Sequence, residues 1–131
     1  MTKRSIVLSY PHRDRIVARE IAQELDRLGL PASDLASQGA AGDLRPLLRR
    51  AIERADALVL VIASPEAASQ SWIGYEAGMA DALDKRIIVL LSQDHATDEL
   101  PADIATCRII QFDPSRPDRA ARGILEELAP A

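Results

Sequence analysis

From Ala57 to Ala63 the chain reads Ala-Leu-Val-Leu-Val-Ile-Ala, with Asp56 before it and Ser64-Pro65 after it. A strand with one wet face alternates apolar and polar residues. A strand apolar on both faces is covered on both sides, as in a parallel sheet sandwiched between helices. Ile87-Ile88-Val89-Leu90-Leu91 is a second run of the same kind. Two such strands, with helix-patterned sequence around them, restrict the chain to an α/β architecture with a mostly parallel sheet and right-handed crossovers.

The remaining segments supply the other elements. Ser5-Ile6-Val7-Leu8-Ser9 is a short strand-forming run that Tyr10-Pro11-His12-Arg13 breaks, and Asp14 is placed to cap a helix carrying Val17, Ile21, Leu25 and Leu28. Gly29 stops that helix. Leu30 to Ala36 contains Pro31 and Ser33 and is expected as a weak edge strand. Ser37-Gln38-Gly39-Ala40-Ala41-Gly42 is a loop, and Asp43 caps a helix with Leu44, Leu47, Leu48, Ala51, Ile52 and Ala55 inward. Its Arg45, Arg49, Arg50 and Arg54 form a solvated face. After the second two-sided strand, Arg108 to Phe112 reads as a more exposed edge strand, and Pro117 opens a helix bearing Ala121, Ile124, Leu125 and Leu128. The expected fold is a flavodoxin-like, doubly wound, five-stranded parallel sheet ordered 2-1-3-4-5, in which ligands sit where the first and third strands end.

The segment Ser69 to Leu83 leaves the third strand on that rim. Stepped at 100° per residue, it places Trp72, Ile73, Met79, Ala80 and Leu83 on one apolar stripe, with Glu76 inside the stripe. A carboxylate on a core-facing stripe is costly unless it is paired, hydrogen-bonded or used in chemistry.

Several chemistries are excluded. The chain has no G-x-G-x-x-G after its first strand and no phosphate-binding G-x-x-x-x-G-K-[ST] loop. The first and third strands end in Ser9-Tyr10 and Ala63-Ser64, not in the acidic residues of a phosphoacceptor. His12 and His95 are far apart, so neither a metal-ligand spacing nor a Ser-His pair is supported. The net charge of −4 disfavours direct nucleic-acid binding. No apolar run nears the ~20 residues of a membrane span. The single Cys107 suits a reducing compartment, and a cytoplasmic location is expected. An inward carboxylate beside an aromatic residue suits cleavage of an N-glycosidic bond, because positive charge develops on the sugar ring as that bond breaks.

The stretch Ser5 to Asp14 resembles the first box of the TIR (Toll/interleukin-1 receptor) domain family. Gly42-Asp43-Leu44 and the helix to Ile52, then Ala55 to Pro65, are similar to its middle. Ser71-Trp72-Ile73-Gly74-Tyr75-Glu76 matches the family's serine, tryptophan and glutamate, and Lys85 to Leu90 resembles the strand that follows. The likeness spans nearly all of 1–131 as a single domain, with 129–131 compatible with the start of a linker. It implies the flavodoxin-like sheet and, for many members, hydrolysis or cyclisation of NAD with release of nicotinamide. NAD is then substrate rather than cofactor, and no metal is needed. Glu76 would be catalytic; Ser9, Tyr10, Pro11, His12, Arg13, Ser71 and Trp72 would border the substrate.

The resemblance also implies an immune or defence signalling role, self-association through TIR–TIR contacts, and a fused or separate sensor domain. The partner-recognition loop falls on Ser37, Gln38, Gly39, Ala40, Ala41, Gly42 and Asp43, where the family's usual pattern is missing; Pro11 replaces a small polar residue. Two other readings stand beside the enzyme. One is a non-catalytic TIR scaffold, which Gly74 and Gly78 on the face opposite Trp72 would serve. The other is a nucleoside deoxyribosyltransferase-like enzyme, whose pattern resembles Glu76-Ala77-Gly78-Met79-Ala80.

Overall fold

The computed structural model describes residues 4–33, 45–63, 71–94, 100, 104 and 107–129, without the side chains of 12, 45 and 71–74. Five strands form one parallel sheet in the order β2-β1-β3-β4-β5, as the sequence pattern predicts. They are β1 (Ile6–Ser9), β2 (Ala32–Ser33), β3 (Ala57–Ile62), β4 (Arg86–Ser92) and β5 (Arg108–Phe112). Four described helices accompany them: α1 (Arg15–Arg27), α2 (Arg45–Arg54), α3 (Ser71–Ala82) and α4 (Pro117–Leu128). A 3-10 turn at His12–Asp14 joins β1 to α1.

The helices divide between the two faces of the sheet. Ala18, Ile21 and Leu25 of α1 and Ala120, Ala121 and Ile124 of α4 pack with Ile6, Leu8, Val59, Val61, Ile88 and Leu90. Leu48 and Ile52 of α2 and Ala77 and Ala80 of α3 pack with Val7, Leu58, Leu60, Ile62, Val89 and Leu91. Every residue of β3 is therefore buried, which is why its sequence shows no alternation. Each fully buried aliphatic side chain contributes about 1.5–3 kcal/mol relative to exposure, so β3 and β4 anchor the fold.

Some local expectations are corrected. Leu47, expected inward on α2, is 43% exposed; Leu48 and Ile52 already fill the contact with the sheet. Leu28 lies past the end of α1 and is exposed, while Leu30 takes the buried position beyond the turn. That turn needs Gly29, whose φ is +81°, and the Leu30 amide returns to the Leu25 carbonyl at 2.9 Å. The weak strand expected over Leu30 to Ala36 pairs only at Ala32 and Ser33 among the described residues.

Candidate functional site

β1 and β3 are neighbours in the sheet, while β2 lies on the other side of β1, so the strand order reverses at this pair. In an open α/β sheet, that reversal opens a crevice at the carboxyl ends of the strands. The register places Ser9, the last residue of β1, opposite Leu60, so β3 runs on through Val61 and Ile62 beyond its partner. α3 begins at Ser71 after this overhang and lies along the same face of the sheet as α2.

Glu76 is on the inward side of α3 and is only 2% exposed, next to buried Ala77 and Ala80. Met79 and Leu83 are partly buried against the same layer, whereas Tyr75 and Gly78 face outward. The acid thus lies where the apolar stripe places it. It is the sixth residue of α3, about 7.5 Å along the helix axis from Ser71. A buried carboxylate can stabilise positive charge far better than one in water, because little solvent screens it.

The residues expected to border the substrate divide between the faces. Strand alternation puts Ser9 on the side of Val7, the layer that holds α3. Tyr10 turns the other way, and its ring is buried among Ile6, Leu8 and the α1 and α4 residues. Pro11 is half-buried and Arg13 exposed on the turn that follows. The backbone of His12 belongs to that turn, and the backbones of Ser71 and Trp72 open α3; their side chains lie outside the described residues. The loop Ser37, Gln38, Gly39, Ala40, Ala41, Gly42 and Asp43 lies outside them altogether.

One residue of the rim has a role its sequence position does not reveal. Asp14 precedes α1, as expected of a cap, yet its side chain makes no capping bond. The carboxylate instead accepts a hydrogen bond from the Ala63 backbone N–H at 3.1 Å, across the crevice at the end of β3. At the opposite end of the same strand pair, Asp56 accepts a bond from the Ser5 N–H at 2.8 Å, and the Asp56 N–H donates to the Ser5 carbonyl at 2.8 Å. No group of His, Cys, Asp and Glu among the described residues is arranged to hold a metal, and no helix among them is long and apolar enough to cross a membrane.

A family model described as TIR domain matches residues 6–128. No curated protein sequence matches the chain. Among solved structures, a metazoan TIR-STING receptor from C. gigas in complex with 2',3'-cGAMP is similar over 92% of this chain and 38% of its own, with TM-score 0.72 and 18% identity. A Clostridium botulinum CMP N-glycosidase is similar over 94% of this chain and 99% of its own, with TM-score 0.60 and 14% identity. A 2-desoxiribosyltransferase from Leishmania mexicana is similar over 67% of this chain and 64% of its own, with TM-score 0.56 and 17% identity. At these identities the likenesses are likenesses of fold, and the chain spans well under half the length of the TIR-STING receptor.

Proposed function

The chain belongs to the TIR domain family, and from that membership we propose that it cleaves the bond between nicotinamide and ribose in NAD, with Glu76 as the reacting carboxylate. The observation that carries this reading is the burial of Glu76 on the sheet-facing side of α3, the helix that follows β3 in the chain. NAD is the substrate, and no separate cofactor takes part.

The chemistry follows from the charge change. As the C–N bond breaks, the bonding pair stays with the nicotinamide nitrogen, which becomes neutral, and the ribose carbon becomes electron-poor. A fixed, desolvated carboxylate stabilises that carbon and accepts hydrogen bonds from ribose hydroxyls. Water then adds its oxygen to the carbon and releases a proton, giving the linear product; attack by a ring nitrogen of the adenine gives the cyclic one. Strand alternation puts Ser9 on the acid's side of the sheet, and its hydroxyl would bond a sugar hydroxyl there. Self-association through TIR–TIR contacts would switch the activity on, in immune or defence signalling in the cytoplasm.

The test is release of nicotinamide from NAD by concentrated or bead-clustered protein, with products separated chromatographically. Glu76→Gln, which keeps shape and removes charge, lowers the rate on the order of 100-fold or more while leaving the circular dichroism spectrum unchanged. Equal release by wild type and variant, or none by wild type, would end this reading.

A second reading is a non-catalytic scaffold that recruits other TIR domains. It is favoured by the outer face of α3, where Tyr75 is 41% exposed and a Cβ at Gly78 would meet nothing within 4 Å. Concentration-dependent assembly without nicotinamide release would support it over the enzyme.

A further inference from the structure

We infer that Asp14 is a positioning residue, whose carboxylate fixes the turn after β1 against the end of β3 and so sets the width of the crevice that admits NAD. The part concerning NAD rests on the function proposed above; the clasp itself does not.

The inference begins with how Asp14 is held. It is 4% exposed, and a buried carboxylate is tolerated only where hydrogen bonds replace its lost hydration. The inexpensive arrangement for an acid at this position is to cap α1, one residue away, and it does not do so. Its oxygen reaches a backbone N–H 49 residues further along the chain. β1 has ended opposite Leu60, so no strand on that side continues alongside β3 as far as Ala63. The Asp14 side chain takes the place of the missing strand.

The bond to Ala63 has two consequences at the rim. Asp14 is the last residue of the 3-10 turn, and its own N–H donates to the Pro11 carbonyl at 2.9 Å, so the turn closes on itself. Anchoring Asp14 therefore anchors Pro11 to Arg13 as a unit. Ala63 is the first residue after β3, on the path that leads to α3 and Glu76. The clasp thus joins the two chain segments that leave the crevice, one bordering the substrate and one leading to the reacting acid. Bonds from a carboxylate to a backbone N–H are charge-assisted and hold geometry well.

Asp56 provides the control, since it performs the same kind of clasp at the other end of the β1–β3 pair, away from the rim. A merely structural role would make the two aspartates behave alike. We would compare wild type, Asp14→Asn, Asp14→Ala and Asp56→Ala, each corrected for folded fraction by denaturant titration. The expected result for Asp14→Ala is a KM for NAD raised about tenfold with kcat within about twofold, because one charge-assisted bond that orders a binding segment is lost. Asp14→Asn, whose amide oxygen still accepts the Ala63 N–H, restores most of the KM, and Asp56→Ala leaves it unchanged.

Amide hydrogen exchange separates the clasp from the enzyme. The residue 14 amide, bonded to Pro11, exchanges faster in Asp14→Ala and remains protected in Asp14→Asn and Asp56→Ala. Unchanged exchange at residue 14 in Asp14→Ala, or equal KM changes in the Asp14 and Asp56 alanine variants, overturns the inference. Wild-type protein that releases no nicotinamide overturns the proposed function instead, and the exchange result then decides the clasp alone.

Discussion

Ser9 and Tyr10 are consecutive in the chain and lie on opposite sides of the sheet. Ser9 continues the line of Val7 into the layer shared with α3, and Tyr10 packs with Ile6 and Leu8 against α1 and α4. The two residues are both buried at the rim, but they do different work. Strand alternation puts the Ser9 side chain in the layer that holds α3, whereas the Tyr10 ring belongs to the opposite core.

Alanine substitution at each position separates these roles. Tyr10→Ala removes a buried ring and is expected to destabilise the fold by about 3 kcal/mol, lowering the urea midpoint without altering its slope. Ser9→Ala is expected to change stability by less than about 1 kcal/mol and to raise the KM for NAD several-fold. Reversed effects, with Ser9→Ala unfolding the protein and Tyr10→Ala harmless, would show that the faces are misassigned.

What could be read from the sequence, and what could not, follows from the range of each interaction. Burial on both faces leaves β3 and β4 without polar interruptions, so they are evident from a local window. Glu76 is evident for the same reason, since its place on α3 depends only on helical spacing. Leu47 misleads because an apolar residue at the margin of a helical stripe carries no signal of which side it falls on. The short β2 is obscure because an edge position asks little of its residues. The bond that Asp14 accepts from Ala63 has no signature at all, as a contact between residues 49 apart leaves no periodicity in either. Only the fold brings them together.

Cys107 offers a test of the β5 approach. Burial, and then the nearby negative charge of Asp81, push its thiol above the ordinary value of 9.0. A raised thiol pKa means less thiolate at neutral pH, and thiolate is the form that alkylates. Iodoacetamide should therefore modify Cys107 more slowly than a free thiol near neutrality, and Asp81→Asn should speed the reaction modestly. Labelling as fast as a free thiol would contradict the half-buried placement.

Asp113 bonds Ser115 in the turn that leads into α4, and this contact should depend on pH. Its carboxylate accepts bonds from the Ser115 backbone N–H at 2.9 Å and the Ser115 hydroxyl at 2.7 Å. These bonds, led by the backbone one and assisted by Arg116 and Arg119, hold its pKa below the ordinary 3.8. A carboxylate with a lowered folded value binds protons more weakly in the folded state than in the unfolded one. Its contribution is therefore complete above the unfolded value and is lost as pH falls through the folded value. Asp113→Ala should be less stable than wild type at neutral pH, and the gap should close as pH falls below the ordinary carboxylate value in thermal melts. A gap that widens on acidification would reverse the sign.

Gly78 lies in the middle of α3 with open space where a side chain would begin. Glycine inside a helix loses more backbone freedom on folding than alanine does, and no contact at this site repays it within the described residues. Gly78→Ala should then raise stability by about 0.5–1 kcal/mol, read as a higher urea midpoint. The same reasoning makes Gly78→Leu harmless to the isolated fold, since its side chain would project outward beside Tyr75. The pair of variants thus tests the outer face of α3 without disturbing the buried face that carries Glu76. If a second copy docks closely there, Gly78→Leu raises the protein concentration needed for assembly, and with it the concentration needed for nicotinamide release, while Gly78→Ala shifts neither. Light scattering across a dilution series reads the first and product release the second. Identical curves for Gly78→Leu and wild type would place the assembly contact elsewhere on the domain, and a loss of stability in Gly78→Ala would mean that the site is not open.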